Sequence, residues 1–149
     1  RRNYTVVING RNPIEAHEYL GNSVEGRDVI IIDDMISSGD SAIDVARELK
    51  NRGARRIFMF ATFGLFCNGC DNLDRAYEEG IITRIFTTNL NYRTQDIIDR
   101  PWYTEVSLCK YVAYLIDTIN KDETISDLLN PVTRIHNLVD RVRANAEKQ

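Results

Sequence analysis

The chain is poor in the residues that build cross-linked or metal-stapled folds. Of its 149 residues, three are cysteine, two histidine, three proline and one tryptophan. Cys67 and Cys70 form a CxxC, but no second pair follows, and Cys109, His17 and His136 lie scattered. That spacing argues against a four-ligand zinc site. An odd cysteine count with no secretory signal argues against a disulfide framework, so the thiols read as incidental and the expected setting is a reducing cytoplasm. No apolar run reaches the roughly 18 residues needed to cross a bilayer, and no signal-type apolar segment follows Arg1-Arg2-Asn3-Tyr4. The chain opens on Arg1 rather than Met, and a piece of a longer protein is expected. A large charge excess is missing too. A net charge of −3 excludes a non-specific grip on nucleic acid or anionic membrane, while a small anionic ligand stays open. There is no internal repeat and no low-complexity stretch.

What is present is a globular composition, 43% apolar with 28% charged residues, in a length that supports a real core. Tyr4 to Ile8 reads as an edge strand and Ile14 to Leu20 as a short helical turn. Val29 to Asp33 is the clearest strand, an apolar run expected to be buried and to end in two carboxylates. From Gly39 to Arg52 the residues Ala42, Ile43, Val45, Ala46 and Leu49 form one helical face, stopped by Gly53. Arg56 to Thr62 and Ile81 to Thr87 read as further strands, with a helix from Cys70 to Glu79 between them. A long loop from Thr88 to Tyr103, a helix from Val106 to Asn120 and a helical tail broken near Asn130-Pro131 complete the pattern. Strands alternating with helices at close spacing predict an α/β fold with a parallel sheet. Ligands of such sheets sit beyond the carboxyl ends of the strands.

The segment Asp33-Asp34-Met35-Ile36-Ser37-Ser38-Gly39-Asp40-Ser41 lies at such an end. Its acids can accept hydrogen bonds from vicinal hydroxyls. Its small loop residues let backbone amides approach a phosphate closely, and the helix start adds free N–H groups. Ser37, Ser38 and Ser41 contribute hydroxyls. Asp40 is discordant, because a carboxylate repels a phosphate; it is expected to face away and to stabilise the first helical turn.

From Val29 to Ser41 the order is four apolar residues, two acids, two apolar residues, two small residues, glycine, any residue, then a small hydroxyl. This resembles the phosphoribosyl-diphosphate-binding motif of the type I phosphoribosyltransferase fold, a three-layer parallel sheet with flanking helices. The flanks Arg1-Arg2, Val24 to Asp28, Gly53 to Phe58, Phe60 to Phe66 and Glu123 to Leu129 narrow the resemblance to the C-terminal half of the ribose-phosphate pyrophosphokinase family. It covers about residues 1–130, with 131–149 as an extra helical tail. That family moves the diphosphoryl group of ATP, with Mg²⁺, onto C1 of ribose 5-phosphate. The resemblance implies that Ser37, Ser38, Gly39, Asp40 and Ser41 form the loop around the 5-phosphate. Asp33 and Asp34 then hold the ribose hydroxyls, directly or through Mg²⁺. It also implies assembly of several copies. Arg1-Arg2 match the last two members of a Lys-Arg-Arg segment, which makes Arg2 the candidate catalytic cation for the charge on the transferring group.

The chain departs from the family in several places. The lysine expected before Arg1 and the preceding half, which carries most of the ATP site, are not in this sequence. The chain alone is therefore expected to bind ribose 5-phosphate without catalysing the full reaction. Ser37 stands where many members have Asp, and Phe63-Gly64 where many have His-Pro. Two alternatives remain: a phosphoribosyltransferase acting on a nucleobase, although no base-binding hood is evident, and a non-catalytic regulatory subunit. Trp102 reads as a loop anchor, with adenine stacking on Trp102, Phe63 or Phe66 as the competing expectation.

Overall fold

The structure, a computed structural model, describes residues 2–4, 14–17, 23–126 and 130–146. The chain divides into two compact units, Arg1–Ser107 and Leu108–Gln149. In the first, β1 (Arg2–Tyr4) and β2 (Ile14–His17) pair antiparallel, with Arg2 opposite His17 and Tyr4 opposite Ile14. The helical turn expected from Ile14 is thus a strand; a segment this short has no periodicity of its own, and pairing decides its state. The remainder of the strand expected as far as Ile8 lies outside the described residues.

Four parallel strands follow in sequential order: β3 (Asp28–Ile36), β4 (Arg56–Gly64), β5 (Arg84–Thr88) and β6 (Tyr103–Val106). Helix α1 (Asp40–Asn51) joins β3 to β4, α2 (Asp71–Glu78) joins β4 to β5, and the short α3 (Gln95–Ile98) precedes β6. Ile57, Met59 and Ile85 pack with Ile43, Ala46 and Leu49 of α1 and Leu73 and Ala76 of α2 in one buried core. The α/β parallel architecture expected from the alternating pattern is the one found.

Two expectations need correction. The run Val29 to Ile32 is not buried throughout. Val29 and Ile31 pack against the core, whereas Ile30 and Ile32 on the other face are 59% and 80% exposed. Side chains alternate along a strand, and α1 and α2 cover only one face. The helix expected from Val106 begins later, at Cys109. Tyr103–Val106 instead forms β6, with Ile85 opposite Tyr103 and Thr88 opposite Val106. Val106 and Leu108 satisfy a helical period equally well, and only the ladder with β5 distinguishes the two states.

At the amino ends of β3 and β4, Asp28 accepts paired hydrogen bonds from Arg55 (2.8 Å twice) and Arg56 (3.1 and 2.5 Å). The hydrogen bonds from Arg55 and then Arg56 hold the Asp28 carboxyl well below the usual carboxylate range. A carboxylate depressed on folding adds stability above its unfolded value, about 3.9, and that contribution is lost as pH falls through the folded value. The urea midpoint of Asp28→Asn is therefore expected to lie below wild type by a constant margin above about pH 5 and by a shrinking margin below about pH 4. A margin independent of pH would refute this origin.

The second unit contains α4 (Cys109–Asn120) and α5 (Val132–Ala146). Asn130 and Pro131 start α5: Asn130 Oδ1 accepts from the Val132 amide at 3.1 Å, and Pro131 O accepts from Ile135 at 2.9 Å. The proline thus begins a helix, where its missing N–H costs nothing. Among the described residues no helix is long and apolar enough to cross a membrane.

Candidate functional site

Strand β3 runs through both acids to Ile36, three residues beyond the expected end at Asp33. Asp33 and Asp34 therefore sit near the carboxyl end of the strand, not at its tip. Each folds one oxygen onto the chain. Asp33 Oδ1 accepts from the Asp34 amide at 2.9 Å, and Asp34 Oδ1 from the Met35 amide at 2.8 Å. Both side chains are exposed, and both border a cavity of about 240 Å³ lined by the segment Asp33 to Gly39 and by Ser41 and Ala42.

The other wall is the start of α1. Its first helical bond runs from the Ile43 amide to Gly39 O at 2.9 Å, so the amides of Asp40, Ser41 and Ala42 have no partner within the helix. Gly39 makes the turn with φ +87°, and a Cβ on it would stand 2.8 Å from Leu73 Cδ2. The loop is tied to the next one by backbone alone: the Leu65 amide donates to Ile36 O at 2.8 Å and the Cys67 amide to Ser37 O at 3.1 Å. The cavity thus joins an exposed acid pair to the amides of Ser41 and Ala42 at the start of α1. It can accept hydrogen bonds from hydroxyls at one end and donate to an anion at the other. None of its described lining residues is cationic.

The structure brings Asp33, Asp34, Ser37, Ser38, Gly39 and Ser41 together around this cavity. Asp40 is placed differently. Its Oδ2 accepts from Ser38 Oγ at 2.9 Å and its Oδ1 from Asn72 Nδ2 at 2.8 Å, and it does not line the cavity. Asn72 in turn accepts from Arg75 Nη2 at 2.6 Å. No sequence signal joins α2 to this loop, because the two are distant along the chain and are brought into contact by the order of the strands. Arg2 lies in β1, but its side chain, like the whole of Arg1, is outside the described residues.

Adenine stacking on Trp102 or Phe66 is ruled out by burial. Trp102 is fully enclosed, its Nε1 donating to Asp74 Oδ1 at 2.7 Å, and Phe66 packs edge-on against Trp102 and Tyr103. Cys67 is exposed and Cys70 buried; burial pushes the Cys70 thiol up, away from the reactive thiolate. Among the described residues no three His, Cys, Asp or Glu side chains gather around a point.

A second feature that the sequence conceals stands at the carboxyl end of β5. Arg93 is buried and donates to Tyr103 Oη and Thr87 Oγ1 (2.8 Å each), and to the carbonyls of Thr88 and Asn91 (2.7 Å each). Nothing in the loop Thr88 to Tyr103 marks this arginine as a core residue.

Comparison with known proteins places the chain. The family model for the phosphoribosyl synthetase-associated domain matches residues 11–130. A ribose-phosphate pyrophosphokinase of Vibrio parahaemolyticus is 32% identical over 120 residues, 80% of this chain and 37% of that protein. One from Ureaplasma parvum is 36% identical over 77 residues, 51% of this chain and 23% of that protein. The phosphoribosylpyrophosphate synthetase of Mycobacterium smegmatis superposes with a TM-score of 0.59 at 24% identity, over 68% of this chain and 33% of that one, and shares the fold. The chain spans little more than a third of the length of the Vibrio relative. With the family model covering most of its length, this chain belongs to the phosphoribosyl synthetase-associated domain family.

Proposed function

We propose that this chain carries the ribose 5-phosphate site of a ribose-phosphate pyrophosphokinase, which transfers the diphosphoryl group of ATP to the C1 oxygen of ribose 5-phosphate. The observation that carries this reading is one cavity bounded by exposed Asp33 and Asp34 on one side and the amides of Ser41 and Ala42, which have no partner within α1, on the other. In this reading the amides of Ser41 and Ala42, with the hydroxyls of Ser37 and Ser41, hold the 5-phosphate. The free oxygens of Asp33 and Asp34 accept from the ribose 2- and 3-hydroxyls and set the direction in which C1 faces. Exposed carboxylates suit Mg²⁺, which is commonly bound by one or two carboxylates together with ligand oxygens and water rather than by a protein cage. Asp33 and Asp34 would hold it, and its chemistry there is to neutralise charge on phosphoryl oxygens.

The described residues of the cavity lining include no cation, so the charge on the transferring group needs one from beyond them, the part assigned to Arg2. ATP as second substrate, assembly of several copies and a cytoplasmic setting belong to the same proposal, as does a boundary near residue 130 with a helical tail beyond it. Calorimetry with ribose 5-phosphate and phosphoribosyl diphosphate tests it. Loss of charge-assisted hydrogen bonds in Asp33→Ala should weaken both ligands about tenfold to thirtyfold. Wild-type protein that binds neither ligand, or an Asp33→Ala variant that binds as well as wild type, would overturn it.

A further inference from the structure

The α1 start that faces the cavity carries a negative charge of its own. Asp40 is the first residue of α1, in the same turn as the free amides of Ser41 and Ala42, within one helix pitch of about 5.4 Å. Its carboxylate is held in place at both oxygens, by Ser38 Oγ at 2.9 Å and Asn72 Nδ2 at 2.8 Å. Two consequences follow. The Ser38 hydroxyl hydrogen is committed to Asp40, which removes one donor from the cavity. The carboxylate also occupies the positive end of the helix dipole, the same electrostatic asset an anionic ligand would use. Among the described residues no cation lines the cavity to offset it. Arg75 offers compensation through Asn72, from the α2 side.

We propose that Asp40 is a specificity determinant of this site, a fixed charge that lowers its preference for a doubly charged terminal group. This inference rests on the sugar-phosphate reading above. The phosphate of a sugar monoester is close to a dianion at neutral pH, whereas its methyl ester is a monoanion. Coulomb repulsion scales with the product of charges and is screened by salt. Asp40 therefore penalises ribose 5-phosphate more than its methyl ester and does not penalise ribose at all. The Arg75–Asn72–Asp40–Ser38 chain holds the carboxylate where it acts, so α2 takes part in setting ligand preference without touching the ligand.

Titration calorimetry of this chain with inorganic phosphate, ribose, ribose 5-phosphate and its methyl phosphate ester tests the proposal in wild type, Asp40→Asn and Asp40→Gly. At low salt both variants should bind ribose 5-phosphate about tenfold more tightly, the methyl ester about threefold, and ribose unchanged, with the gains shrinking in 0.5 M salt. Ribose 5-phosphate affinity that is unchanged or weaker in both variants, or an equal gain for ribose, overturns the role of Asp40. Asp33→Ala separates this outcome from failure of the underlying site. If Asp33→Ala weakens ribose 5-phosphate binding about tenfold or more and the Asp40 variants gain nothing, only the Asp40 inference fails. If Asp33→Ala changes nothing while the Asp40 variants tighten inorganic phosphate, the sugar reading fails and the charge effect stands. No binding of any probe to any variant overturns both.

Discussion

Gly39→Val is expected to lower the melting temperature by about 10 °C and to weaken ribose 5-phosphate binding more than 100-fold, on the order of 3 kcal/mol. Two independent penalties meet at this residue. Its φ of +87° is a left-handed conformation that costs an L-residue about 1–2 kcal/mol, more for a β-branched one. A Cβ would also stand 2.8 Å from Leu73 Cδ2 and 3.1 Å from Leu73 Cγ. Leu73 is fully buried and cannot turn away, so overpacking adds about 1–3 kcal/mol. The relief available to the chain is to move the loop, which misaims the amides of Ser41 and Ala42. Leu73→Ala in the same molecule should recover the overpacking part but not the conformational part, a coupling that a double-mutant cycle reads directly. A Gly39→Val protein that melts within about 2 °C of wild type, an interval well under the expected shift, would show that the loop is not held as described.

Arg93→Met is expected to destabilise the protein by about 3–5 kcal/mol. Arg93 is 6% exposed, and among the described residues its guanidinium donates only to neutral acceptors: two hydroxyls and the carbonyls of Thr88, Asn91 and, at 3.3 Å, Tyr92. Its Cζ also lies 5.9 Å from the ring centroids of both Phe66 and Tyr103. A thioether of similar length fills the space but leaves the carbonyls of Thr88 and Asn91 without this donor, and Thr87 Oγ1 and Tyr103 Oη with their mutual 2.8 Å hydrogen bond, at about 1–3 kcal/mol for each acceptor that stays buried and unpaired. Lysine should rescue little, because three donors on one nitrogen cannot reproduce a planar fork. Equilibrium unfolding in urea measures the loss. A value below about 1 kcal/mol would mean that the loop after β5 re-forms its bonds with water, and that Arg93 is not its anchor. Since Asn91 Nδ2 also donates to Gly64 O at 3.0 Å, the same arginine steadies the carboxyl ends of β4 and β5 beside the candidate site.

Much of the site was legible because it is local. The acid pair, the small-residue loop, the glycine and the start of α1 are consecutive in the chain, and each residue type states its backbone requirement directly. Gly39 needs its positive φ, and α1 ends where Gly53 takes φ +85°, as the helical pattern predicts. The regions that misled reading are those where a short apolar stretch fits two periods. Ile14 to His17 and Tyr103 to Val106 became strands through pairing with β1 and β5. The apparent burial of Ile30 and Ile32 failed for a related reason: an apolar run does not say how many faces of a sheet are covered.

Sequence alone determined the alternation of strands and helices, the position of the small-residue loop after the acid pair and the electrostatic oddity of Asp40. These depend on neighbours within one turn or one strand. The tertiary structure decided that Asp40 turns from the cavity toward Asn72 and Arg75, that Leu73 forbids a side chain at Gly39, and that Arg93 and Trp102 are interior. Each of those outcomes depends on contacts between segments that are distant in the chain, whose meeting is set by sheet order and not by any local pattern.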